Sequence, residues 1–147
     1  MEKTKRIFKK LKLVRDSAPS MYVTSPNSAD SILSQFKMFS KDEPVEHFVL
    51  IGLGNGNEVN ILKKWEGEVN KTSVYVSEIA KYLLLSNCKA CLLAHNHPSG
   101  KTKPSNEDIQ ITVTIKKALD LFDIVVHDHL IYAGDEVISL RKEGLIW

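Results

Sequence analysis

The hydrophobic pattern of this chain changes period several times, and each change marks an element. "VEHFVLIGL" is β-branched and apolar, reads as a strand, and is stopped by "GNGN", a turn signal of the hairpin kind; "EVNILKKW" is the return strand. "KACLLAH" is a buried strand, and "IVVHDHLIYA" and "EVISL" are two more. Between them the period becomes helical. "SPNSADSILSQFKMF" predicts a helix capped near Asn27 or Ser28, with Ile32, Leu33, Phe36 and Phe39 inward. "VSEIAKYLLLSN" predicts a helix capped by Ser77, and "SNEDIQITVTIKKALDLF" a long amphipathic one burying Ile111, Ile115, Ala118, Leu119 and Phe122. Near the start, "KLKLVR" alternates like a strand with Leu11 and Leu13 on one face, although a helix through Ile7, Leu11 and Val14 fits nearly as well. Strands alternating with helices, plus a hairpin, predict an α/β fold: a mixed β-sheet with helices on its faces.

Composition narrows the class. A chain of 147 residues with 43% apolar and 26% charged positions is one ordinary globular domain by length and content. No apolar run reaches the ~18 residues that span a bilayer, so no membrane partner is expected. The basic start lacks an apolar core and cleavage site, so it does not read as a signal peptide. Two cysteines, Cys88 and Cys91, are too few for a disulfide framework and are expected as small core residues, which makes the cytoplasm the expected location.

The net charge of +2 conceals an asymmetry. Residues 1–15 hold seven Lys or Arg against the single acid Glu2, so the rest of the chain is net negative. The expected division is a basic extension over 1–19 and a folded domain over 20–147. A duplex-binding protein concentrates positive charge on its folded face, whereas here only the tail offers phosphate contacts. That weakens a nucleic-acid reading and leaves open only weak contact through the basic N-terminus.

The chemistry gathers in "LLAHNHPSGKTKPSNED". His95 ends a strand, and residues two apart on extended backbone share a face, so His95 and His97 can point the same way. Pro98, Ser99, Gly100 and Pro104 turn the chain, Ser105 opens a helix, and Asp108 lies in its first turn. Two imidazoles and a carboxylate suit Zn²⁺, and three protein ligands leave a fourth position for water. The same residues have a plainer reading. His-x-His recurs without any metal, and Ser105 with Asp108 matches the Ser-x-x-acid pattern of a helix start. On the residues alone both readings stand.

Three rival motifs fail. The string "HNH" is not an HNH nuclease, whose residues are dispersed over a ββα element. Cys88 and Cys91 are too close to the histidines for a zinc finger. A zinc deaminase needs His-x-Glu and a later Pro-Cys-x-x-Cys, and neither occurs.

With His95, Asn96, His97, Pro98, Ser99, Gly100, Pro104, Ser105 and Asp108, the chain resembles the JAB/MPN (JAMM) family of zinc peptidases, whose signature is His-x-His-x7-Ser-x2-Asp with an upstream glutamate. "HNHPSG" followed by "PS" and Asp resembles the RadC-like branch. "VEHFVLIGL", "SVYVSEIAKYLLLSN" and "DHLIYAGDEVISLRKEGL" resemble that branch's strand, central helix and C-terminal strands, so the likeness covers roughly residues 20–147.

The resemblance implies a cytidine deaminase-like architecture and hydrolysis of a peptide or isopeptide amide. It makes His95, His97 and Asp108 ligands of Zn²⁺, Glu46 the general base and Ser105 the donor to the oxyanion; Glu43 is the nearby alternative to Glu46. It implies a protein or peptide substrate and leaves a homodimer open. The alternative is a DNA-associated accessory or non-catalytic module that keeps the fold. Two departures stand out: the helix-hairpin-helix domain that often precedes RadC-like domains is not expected in these 147 residues, and Glu68 follows Gly67 where Thr or Ser is usual. His127, Asp128 and His129 form a second cluster. On a regular strand the two histidines share a face and Asp128 points away, so they are expected to be structural.

Overall fold

The computed structural model describes residues 21–36, 38–39, 44–67 and 72–147. The basic extension, the "KLKLVR" segment and Glu43 lie outside the described residues. The elements are α1 (Pro26–Gln35), β1 (His47–Leu53), β2 (Val59–Glu66), α2 (Thr72–Leu85), β3 (Ala90–Asn96), α3 (Asn106–Asp120), β4 (Val125–Ala133) and β5 (Glu136–Ser139). The five strands form one mixed sheet in the order β2-β1-β3-β4-β5. β1 runs antiparallel to both β2 and β3, β3 pairs parallel with β4, and β5 returns antiparallel to β4. The expected α/β architecture is the observed one.

β1 and β3 are buried at every position, because helices cover both faces of the sheet's centre. Their side chains alternate between two cores. Phe48 and Leu50 of β1, with Cys91 and Leu93 of β3, meet Ile79 and Leu83 of α2 and Ile111, Ile115 and Leu119 of α3. Val49, Ile51 and Leu53, with Leu92 and Ala94, meet Ala29, Ile32 and Leu33 of α1 on the other side. Gly52 is required where α2 approaches the sheet. A Cβ there would lie 2.9 Å from Leu83 Cδ2 of α2, 2.7 Å from Cys88 Sγ just after it, and 2.5 Å from Ile61 Cγ2 on β2.

Several boundaries differ from the sequence reading. Ser25, not Asn27 or Ser28, caps α1 in a capping box with Ser28. Pro26 occupies the first turn, where its fixed φ and missing N–H suit a helix start. Helix α2 begins at Thr72, five residues before Ser77. The β-branched and aromatic "TSVYV" favours extended backbone by propensity, a weak preference that tertiary context overrides. Phe36 and Phe122 are 42% and 50% exposed, since both follow the last residue of their helices and leave the helical period. Cys88 and Cys91 are buried free thiols, as expected. Among the described residues no helix is long and apolar enough to cross a membrane.

Candidate metal centre

His95 belongs to the alternating series Cys91, Leu93, His95, which faces α2 and α3, and it is fully buried. His97 follows the strand end, where its backbone N–H donates to Tyr132 O on β4 at 2.7 Å. The loop from Pro98 then delivers α3 to the same face. Ser105 caps that helix: its Oγ accepts from Asp108 N–H at 3.0 Å, and its own N–H donates to Asp108 Oδ2 at 2.8 Å. The cap orients the carboxylate, and the capping reading of these two residues is correct.

Three donor atoms converge as a result. His95 Nε2 and His97 Nε2 are 3.0 Å apart. Asp108 Oδ2 is 2.9 Å from His97 Nε2, and Asp108 Oδ1 is 3.1 Å from His95 Nε2. This is the group among the described residues whose spacing can hold a metal ion. A tetrahedral zinc with ligands at about 2.0–2.1 Å sets neighbouring donors about 3.3 Å apart. The three atoms need to spread by only a few tenths of an ångström to receive it.

Hydrogen-bond direction strengthens the fit. Thr112 Oγ1 donates to Asp108 O at 2.6 Å, and a carbonyl can only accept. The hydroxyl proton is thereby used, so His129 Nδ1, 2.6 Å away, must be the donor to Thr112 Oγ1. Burial, with His95 nearby, pushes the His129 pKa well below the ordinary imidazole range, so this ring is neutral. Its Nε2 then accepts from His95 Nδ1–H at 2.7 Å. The chain of bonds leaves the lone pair of neutral His95 at Nε2, facing the centre. His97 Nδ1–H donates to Lys101 O at 2.8 Å, with the same consequence.

Two lone pairs and a carboxylate now face one another at about hydrogen-bond distance, and only a cation relieves them. A proton can serve. The hydrogen bond to Asp108 raises the His97 pKa against its burial. Burial alone would raise the Asp108 pKa, but the adjoining His95 and His97 rings and the Ser105 N–H hold it well below the carboxylate range. A divalent ion satisfies the same demand with all three ligands at once. Phe48 walls the inner side, its ring 6.5 Å from that of His95 and edge-on to His129 at 5.6 Å.

Glu46 is half-buried and precedes β1. Glu46 lies two residues before Phe48, the β1 partner of His95, so alternation along extended backbone gives Glu46 and Phe48 the same face. Its charge is among those that raise the His97 pKa.

His129, expected from the sequence as a structural residue sharing a face with His127, instead meets His95. The register of β4 against β3 jumps between Cys91 and Leu92, which pair with Val126 and Asp128, so His127 is the extra residue of a β-bulge. The bulge separates the two histidines that regular alternation would place together. His129 turns to His95, while His127 and Asp128 line a pocket of about 320 Å³ with Val23, Leu92, Leu130 and Arg141 on the α1 side. Asp128 is structural: it accepts from the N–H groups of His129 and Arg141 and from the Ser139 hydroxyl, tying β5 to β4. The one available signal for the relay was Asp108-x3-Thr112, four apart on a helix, where a threonine hydroxyl reaches back to the i−4 carbonyl.

Residues 23–145 match the RadC-like JAB domain. A UPF0758 protein of Photobacterium profundum is 41% identical over 125 residues, covering 83% of this chain and 54% of that protein. The UPF0758 protein YeeS of Escherichia coli is also 41% identical, over 102 residues and 69% of each chain. A third, from Methylibium petroleiphilum, is 32% identical over 139 residues, 92% of this chain and 63% of the relative. The chain spans about half the length of several curated relatives it matches, 54% of the one from Photobacterium and 51% of one from Cupriavidus taiwanensis. With its mixed five-stranded sheet, its helices on both faces and this match over nearly all the described residues, the chain belongs to the RadC-like JAB domain family.

Proposed function

We propose that the protein is a zinc-dependent amide hydrolase in which His95, His97 and Asp108 hold the metal. The observation that carries this reading is the relay from Asp108 O through Thr112 and His129, which turns the His95 lone pair towards His97 and Asp108. When bound, zinc supplies Lewis acidity and lowers the pKa of water to about 7, giving a nucleophile at neutral pH.

The chain's own residues supply the rest. Glu46 takes the proton from the attacking water and passes it to the leaving amine as the carbon–nitrogen bond breaks. Its place two residues before Phe48, the strand partner of His95, and its electrostatic reach to the His97 ring support the role. Ser105 uses an oxygen lone pair for the Asp108 N–H, so its hydroxyl hydrogen can turn to the oxyanion that develops on the substrate carbonyl. Asp108 balances the positive charge of the centre. Phe48 keeps water from its inner wall.

The test is cleavage of a proteome-derived peptide library by the zinc-loaded protein, with new termini identified by mass spectrometry. Glu46→Gln should keep its zinc and cleave roughly 10²–10⁴-fold more slowly, while Glu43→Gln should change little. Full-rate cleavage by Glu46→Gln, or its loss of zinc, removes Glu46 as base. No cleavage by the zinc-loaded parent removes the peptidase reading and leaves a metal-binding module.

A further inference from the structure

Asn96 lies between the two histidines, on the opposite side of the strand from both. It is 5% exposed, and both ends of its carboxamide are engaged: Oδ1 accepts from His47 N–H at 2.6 Å, and Nδ2 donates to Val45 O at 2.9 Å. These two backbone groups flank a single residue, Glu46. The backbone ladder between β1 and β3 ends at the pair Phe48–His95. Beyond it, the Asn96 side chain supplies an acceptor and a donor where main-chain groups would otherwise pair. From the other side, Gly67 N–H on the β2 end donates to Glu46 O at 3.0 Å. The peptide units on both sides of Glu46 are thus held, one by the strand that carries the histidines.

We propose that Asn96 is the positioning residue for Glu46: its carboxamide clamps Val45 O and His47 N–H, and so fixes the glutamate to the strand that presents His95 and His97. The inference rests on Glu46 serving as the base in the reaction proposed above. Its logic is geometric. A general base contributes only within hydrogen-bond reach of its proton, and a misplacement of about 1 Å can cost about 10²-fold. Glu46 lies two residues beyond the last pair of the β1–β3 ladder, Phe48–His95. A side chain from the ligand-bearing strand ties base and metal together as one unit. The amide is required because the clamp needs one donor and one acceptor at the same reach. Aspartate offers no donor to Val45 O, serine is too short, and alanine removes both bonds.

Isotopically labelled protein loaded with Co²⁺ in place of zinc tests this without a substrate. Three quantities are read in the parent, Asn96→Ala and Asn96→Asp: bound cobalt, hydrogen exchange at the His47 amide, and paramagnetic broadening of the Glu46 carboxylate carbon. Cobalt content and the broadening of Thr112 should be unchanged in both variants. Exchange at His47 should rise about tenfold in Asn96→Ala, the worth of one hydrogen bond. It should stay near the parent's in Asn96→Asp, which retains the acceptor and nearly the volume if the alanine variant does not fold. Glu46 broadening should be strong in the parent and largely lost in both variants. Persistent broadening in a folded variant overturns the clamp while leaving Glu46 as base. Absence of Glu46 broadening in cobalt-loaded parent overturns the base assignment itself, and the clamp with it.

Discussion

Replacing His129 by leucine removes the middle of the relay while keeping an apolar side chain in a fully buried position. His95 Nδ1 loses the acceptor 2.7 Å away, and Thr112 Oγ1 loses the donor at 2.6 Å. Thr112 suffers little, because its own proton remains on Asp108 O. His95 is also fully buried, so its Nδ1–H is left unsatisfied at a cost of about 1–3 kcal/mol. The ring can escape that cost by moving its proton to Nε2, but this removes the lone pair from the metal position. Either route weakens metal binding. Loss of an outer partner of a ligating histidine typically costs about 10–100-fold in affinity, or about 1.4–2.7 kcal/mol. Zinc competition against a chromophoric chelator measures it, with urea unfolding of metal-free protein as the control for stability. Thr112→Val, which keeps the volume but not the acceptor for His129, should act in the same direction more weakly. Zinc affinity in His129→Leu equal to the parent's would refute the relay as the determinant of His95's orientation.

Other expectations follow from the same geometry. Ser105→Ala should cost about 0.5–2 kcal/mol in unfolding free energy, the range for a lost N-cap, and should lower zinc affinity because the cap orients Asp108. Gly52→Ala should destabilise by about 1–3 kcal/mol in urea unfolding, since its Cβ would press on Ile61 and Cys88. Burial, aided by Glu58, pushes the Cys88 thiol up to about 12, and burial also raises Cys91. Both thiols hold their protons more tightly when folded, so their contribution is complete below the ordinary thiol range and is lost as pH rises towards 12. Urea unfolding at stepped alkaline pH should show a decline of about 1.4 kcal/mol per pH unit per thiol, reduced by Cys88→Ala.

Much of the architecture was legible because the sheet's centre is covered on both faces. Such strands are apolar along most of their length: "FVLIGL" follows His47 in the first, and "ACLLA" precedes His95 and Asn96 in the second. Period-two alternation then aligned His95 with His97, and the Ser-x-x-Asp cap brought Asp108 into the first turn of α3. What remained hidden depends on long-range pairing. The bulge at His127 reverses the face of everything before it relative to His129, and no local pattern announces it. The His129–Thr112 contact joins β4 to α3, seventeen positions apart in the chain, and the Asn96 clamp spans about fifty. Both required knowing which strand lies beside which. The start of α2 was missed for the opposite reason: "TSVYV" has a clear local preference for extended backbone, and the fold overrides it.

Whether His95, His97 and Asp108 form a zinc site is decided by the zinc content of purified parent and Asp108→Asn, read by elemental analysis after equilibration with limiting metal. Asparagine preserves the shape and removes the charge that balances the ion. The parent should hold about one zinc per chain and the variant little or none. Equal zinc in both, or no zinc in the parent, would contradict that assignment.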